Sequence, residues 1–89
     1  MKSHVSREFR AALKALPDEV QAQARKAYEL WRQNPNHPGL HFAKLKARAA
    51  CSVRIGLHYR AICVEVAPNV FLWEWIGSHS DYEKLVDTL

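Results

Sequence analysis

From Cys51 to Ile76 the apolar residues recur at every second position or run without a break, and this segment leaves no room for a helix. Cys51, Val53, Ile55 and Leu57 alternate with Ser52, Arg54 and Gly56, the pattern of a sheet with one buried face. Tyr59 to Val66 is mostly apolar, and Val70 to Ile76 is apolar on both faces apart from Glu74, as expected of a strand near the sheet centre. Ala67-Pro68-Asn69 supplies the turn between them, and Leu40, Phe42 and Leu45 mark a short edge strand. Connections this short predict an antiparallel meander.

The first third of the chain has a different period. Val5, Phe9, Ala12, Leu13 and Leu16 recur at helical spacing within Ser3–Leu16, with Ser6 as N-cap and Glu8 near the positive end of the helix dipole. Pro17-Asp18-Glu19 breaks that pattern and restarts it, since proline and acidic residues belong in a first turn. The stripe Val20, Ala24, Ala27, Tyr28 and Trp31 predicts a second helix to about Gln33, ended by Pro35. The two form a helical hairpin. NPNHPGLH is a loop, and near the C-terminus Ser78 or Ser80 caps a short helix with Tyr82, Leu85, Val86 and Leu89 on one face. The expected fold is α+β, a single domain over residues 1–89, with the N-terminal hairpin packed on the antiparallel sheet. The short, polar N-terminus does not read as a strand.

The apolar fraction of 48% and charged fraction of 25% are those of an ordinary globular chain, and no segment has the length and apolarity of a membrane span. MKSHVSREFR lacks the apolar core of a signal peptide, so the expected compartment is the cytoplasm. Cys51 and Cys63 then read as buried thiols rather than a disulfide. The net charge of +4 is unevenly distributed: Arg32, Lys44, Lys46, Arg48, Arg54 and Arg60 fall between Leu30 and Val64, and all nine acidic residues lie outside that stretch. A one-signed middle segment suits a polyanion or an acidic partner, although a solvated basic face has the same composition.

The chemistry centres on SVRIGLHYRAI. If Gly56, Leu57 and His58 form the loop, Arg54 faces Arg60 across the two strands and both point to one side. Like charges so placed are unfavourable unless an anion sits between them. A phosphate fits, because the planar guanidinium matches its oxygens and stays charged. A loop of Leu57-His58 alone sends the two arginines to opposite faces. Lys44, Lys46 and Arg48 precede the hairpin and enlarge the basic region, either as phosphate contacts or as solvated surface residues. Trp73 and Trp75 read as core or partner-contact residues rather than base-stacking platforms. His37 and His41 have an HxxxH interval, but the proline and glycine between them exclude the helix that would align two ligands, so no metal is expected. GxGxxG, GxxxxGKS and GxSxG are absent, and no nucleotide cofactor is implied. In EWIGSHSDYEKL, His79 and Tyr82 stand three apart just after the last strand.

Two helices, a KLK segment, VRIGLHYRAI and a strand followed by His-x-x-Tyr together resemble the RelE/ParE superfamily of toxins from bacterial type II toxin-antitoxin modules, including its HigB-like branch. The resemblance spans nearly the whole chain and is most specific in VRIGLHYRAI. It implies a small curved antiparallel sheet backed by the two N-terminal helices. It also implies a cognate antitoxin covering the basic face or the helices, with DNA met only through that complex. RelE-like members cut mRNA on the ribosome without metal, so the resemblance implies a metal-independent endoribonuclease that inhibits translation. Carried over by position, Arg60 is the arginine that stabilises the scissile phosphate, Arg54 the basic residue of the preceding strand, and His79 with Tyr82 the C-terminal pair. Lys44, Lys46 and Arg48 become RNA contacts. The chain departs from the pattern at Ala47-Arg48, where a glycine is common, at Cys51, where an aromatic is usual, and at His79, which is not an arginine. Two alternatives follow from the same resemblance: a ParE-like inhibitor of DNA gyrase that cuts nothing, and a degenerate member that only binds its antitoxin.

Overall fold

The computed structural model describes residues 2–45 and 50–88. Strand β1 (Lys2–Val5) leads into helices α1 (Arg7–Lys14) and α2 (Asp18–Gln33) and a short 3-10 turn at Pro38–Leu40. Strands β2 (Ala43–Lys44), β3 (Ala50–Ile55), β4 (Tyr59–Ala67) and β5 (Val70–Ser78) follow, and helix α3 (His79–Asp87) ends the chain. The sheet order is β1-β5-β4-β3-β2. Strands β2 to β5 form the expected antiparallel meander. The addition is β1, which pairs parallel to β5 from Lys2 opposite Val70 to Val5 opposite Trp73, making the sheet mixed. Val5 accordingly belongs to a strand rather than to the first helical stripe.

The helix limits follow from their caps. Ser6, in extended conformation, accepts the Phe9 N–H at 3.0 Å and starts α1. Pro17 precedes α2, whose first turn carries Asp18 and Glu19 against the helix dipole. Asn34 turns extended before Pro35 and closes it. Ser78, not Ser80, caps α3 by accepting the Asp81 N–H at 3.1 Å.

Both N-terminal helices lie on one face of the sheet, α1 over β5 and α2 over β3. Phe9, Val20, Ala24, Ala27 and Trp31 meet Val53, Ile55, Ala61, Cys63, Trp73 and Ile76 in one apolar core. Trp31 is the centre of an aromatic cluster, with ring centroids 5.0 Å from Trp73, 5.3 Å from Phe71 and 6.0 Å from Tyr28. Between the helices and the sheet an apolar cavity of about 430 Å³ remains, lined by Phe9, Leu13, Tyr28, Val53 and Trp73 among others. Cys51 and Cys63 stand opposite each other on β3 and β4 as free thiols. Burial, then the neighbouring Cys51, pushes the Cys63 thiol up to about 12, and burial also raises Cys51, so both are protonated at neutral pH. No helix among the described residues is long and apolar enough to cross a membrane.

One expectation along β3–β5 changes. Leu57 leaves the alternation and sits at the tip of the β3–β4 loop, 73% exposed. Gly77 lies within β5 opposite Arg60, with the Trp75 indole packed over it. A Cβ at this position would come within 2.7 Å of Trp75 Cζ2. Gly77→Ala is therefore expected to displace the Trp75 ring and cost about 1–3 kcal/mol by overpacking. Chemical denaturation measures the loss, and an unchanged midpoint would mean that the indole moves freely.

Candidate functional site

The sheet face away from α1 and α2 carries the polar chemistry. Strand pleating puts Ser52 and Arg54 on that face while Cys51, Val53 and Ile55 point to the core. The β3–β4 loop is Gly56-Leu57-His58, with Ile55 opposite Tyr59 and Arg54 opposite Arg60. Gly56 makes this loop feasible: its φ is +58°, and a Cβ there would lie 2.3 Å from Gln23 Oε1. The longer of the two loops allowed by the sequence is the one formed, and both arginines share a face.

The two guanidinium groups converge on His41. Arg54 donates through Nε to the Gly56 carbonyl at 2.8 Å and through Nη1 to His41 Nε2 at 3.0 Å. Because guanidinium only donates, His41 Nε2 is the acceptor of this hydrogen bond. Arg60, only 9% exposed, donates from Nη2 to the His41 carbonyl at 2.9 Å and to Ser52 Oγ at 2.8 Å. Its Nε is buried and has no hydrogen-bond partner. Among the described residues, the hydrogen-bond partners of both arginines are all neutral. These hydrogen bonds fix the directions of both guanidinium groups on the same sheet face.

Helix α3 places Tyr82 over this pair. Its hydroxyl shares a hydrogen bond with Ser52 Oγ at 2.9 Å, and the Arg60 guanidinium carbon lies 4.8 Å from its ring centroid. Trp75, on the same face as Ile62, approaches Tyr82 at 6.3 Å. His79 stacks beside Tyr82 with centroids 6.2 Å apart and an interplanar angle of 25°. Its backbone N–H donates to the His58 carbonyl at 2.7 Å, tying the start of α3 to the β3–β4 loop. Its Nε2 lies 2.9 Å from Glu83 Oε1, and both side chains are more than half exposed. His79 thus meets the arginine pair through Tyr82, on the solvent side.

Of the residues singled out from sequence, Arg54, Arg60 and Tyr82 come together and His79 borders them. Lys44 does not join them: it is registered opposite Cys51 and shares that residue's side of the sheet, away from the arginines. Lys46 and Arg48 lie outside the described residues. Sequence reasoning missed Ser52 and His41. Ser52, completely buried, links Arg60 to Tyr82, and its alternation with Arg54 already put it on the same face. His41 sits in a left-handed conformation, φ 46° and ψ 48°, which depends on the turn formed by NPNHPGLH. Trp73 is core, and Trp75 is half-buried on the opposite face. No group of three or more metal-ligating side chains occurs among the described residues.

Known proteins share this architecture. The RelE–RelB complex from Pyrococcus horikoshii is similar over 86% of this chain and 92% of its own, with a TM-score of 0.70 and 17% identity. The RelB–RelE antitoxin–toxin complex from Methanococcus jannaschii is similar over 91% and 95%, with a TM-score of 0.66 and 19% identity. A conserved hypothetical protein from Helicobacter pylori matches over 90% and 96%, at 0.60 and 17%. No curated protein matches the sequence significantly. The family model of the ParE-like toxin domain matches residues 18–84, from the start of α2 to α3, which includes Arg54, Arg60, His79 and Tyr82. The chain belongs to the ParE-like toxin domain family, within the RelE/ParE superfamily of toxins.

Proposed function

We propose that this toxin is a metal-independent endoribonuclease that cuts mRNA on the ribosome and so inhibits translation in the cytoplasm. The observation that carries the reading is the pair Arg54 and Arg60, registered opposite each other with neutral partners and a buried, unmatched Arg60 Nε. In such cleavage the 2′-hydroxyl attacks the adjacent phosphorus and the 5′-oxygen leaves, with negative charge growing on the phosphoryl oxygens. Two fixed guanidinium groups are suited to stabilise that charge, because their donors are already aimed when it develops. Tyr82 lies against Arg60 and can orient a hydroxyl or stack a base, and His79 beside it supplies an acid or base. A basic pair whose described partners are neutral also favours the approach of RNA electrostatically.

The proposed protein partner is an antitoxin, as in the two archaeal RelE–RelB complexes of the same fold. The apolar cavity beneath α1 and α2 is large enough for side chains of an antitoxin segment. DNA would be reached only through that partner.

The family description favours one second reading, a ParE-like toxin that inhibits DNA gyrase without cutting RNA. Inducing the chain alone, mapping RNA ends in translated messages and assaying supercoiling separates the two. New ends within reading frames and unaltered supercoiling are expected. Intact messages with impaired supercoiling would sink the nuclease reading in favour of gyrase, and no effect on either would leave only an antitoxin-binding role.

A further inference from the structure

We infer that His41 is the general base of the cleavage site, an inference that rests on the nuclease reading above. Three observations on His41 converge. Its Nε2 lone pair is held at 3.0 Å by Arg54 Nη1, so the atom that would take a proton faces one of the two phosphate-binding groups. Its carbonyl accepts from Arg60 Nη2 at 2.9 Å, so the same residue is fixed to the other. Its backbone is left-handed, an unusual state for a residue with a side chain, and this directs the imidazole from the loop onto the sheet face while it stays exposed to solvent.

His79 is less suited to this task. Its Nε2 is engaged with Glu83 on the same helix, and Tyr82 stands between it and Arg60. The two histidines therefore flank the arginine pair from different elements, one from the loop before β2 and one from α3. The step balances with this division. A phosphate entering between Arg54 and Arg60 gives Arg54 Nη1 an anionic oxygen in place of the imidazole, and the Nε2 lone pair of His41 is released. His41 Nε2 takes the proton of the 2′-hydroxyl as its oxygen bonds to phosphorus. The phosphorus–5′-oxygen bond breaks, that oxygen takes the proton of a His79 imidazolium, and the proton gained by His41 passes to water, from which His79 is reprotonated. The products are a 2′,3′-cyclic phosphate and a free 5′-hydroxyl. Arg54 thus acts as a latch that keeps Nε2 of the unoccupied base ready.

His41→Asn tests the assignment. Asparagine tolerates the left-handed backbone, and its side-chain oxygen can still accept from Arg54, yet it cannot take a proton at neutral pH. The measurement is single-turnover cleavage of message on programmed ribosomes between pH 5.5 and 8.5, a range of about 3 units spanning imidazole titration, by wild type and variant. Thermal unfolding and antitoxin binding serve as controls for folding. The expected result is a rate about 10²–10⁴-fold lower for the variant, with the binding constant for the ribosome changed little. The wild-type rate should rise with pH to a plateau, and the variant's residual rate should lack that rise. A folded His41→Asn protein that cleaves at the wild-type rate with the same pH profile overturns the assignment while leaving the nuclease reading intact. Wild-type protein that cuts no message overturns that reading and the assignment with it.

Discussion

Replacing Arg60 with lysine is expected to slow message cleavage about 10²–10³-fold, the loss typical when one donor to a developing oxyanion is removed. The charge remains but the geometry does not. Arg60 uses Nη2 to hold both the His41 carbonyl and Ser52 Oγ while its plane lies against Tyr82. A lysine ammonium can take one of these partners, but it has no second arm to present to the phosphate. Because the charge and one hydrogen bond are kept, the chain should still fold and still bind its antitoxin. Arg60→Ala is a poorer test, since it leaves Ser52 Oγ and the His41 carbonyl short of a donor in a buried site. The check is single-turnover cleavage alongside antitoxin co-purification, and a folded Arg60→Lys protein of undiminished rate would remove Arg60 from the chemistry.

The second large effect is on stability. Trp31→Ala should cost about 3–5 kcal/mol, as large-to-small changes at buried aromatic sites do. Trp31 is 1% exposed and edge-on to both Phe71 and Trp73, so its removal opens a void that no neighbouring backbone can fill. A domain of this size loses about 4–8 °C of melting temperature per kcal/mol, so the expected fall is on the order of 12–40 °C. Since net stability is only about 5–15 kcal/mol, this places the variant near unfolding at growth temperature. Thermal unfolding followed by circular dichroism gives the number, and a fall of only a few degrees would show that the aromatic cluster repacks around the gap.

Periodicity made most of the fold legible. Val53 and Ile55 fell on the core face as their alternation required, and the stripe from Val20 to Trp31 faced them, whereas Trp73 and Ile76, three apart, share that face only because the β4–β5 register shifts between Ile62 and Cys63. The short parallel strand at Lys2–Val5 was not legible, because four residues carry little pattern of their own. What makes them a strand is β5, whose edge becomes available only in the folded sheet. The site divides in the same way. Arg54 and Arg60 could be paired by counting across the loop, and the count turned on whether Gly56 took a positive φ. His41 could not be found, because its relevance depends on a turn conformation and on the reach of Arg54, neither of which leaves a spacing signal. Lys44 shows the converse: near the arginines in sequence, it is turned from them by the single-residue register of a two-residue strand.

The parallel pairing of β1 with β5 also bears on when the protein can first act. Lys2 finds its neighbour at Val70, so β1 stays unpaired until a strand made much later has joined the sheet. Contacts so distant in sequence close a long loop before they return any stability, which slows this part of folding. Tyr82, which covers Arg60, is synthesised later still. Until β5 and α3 have been made, the sheet therefore lacks the strand that β1 and β4 both pair with, and Arg60 lacks the ring of Tyr82.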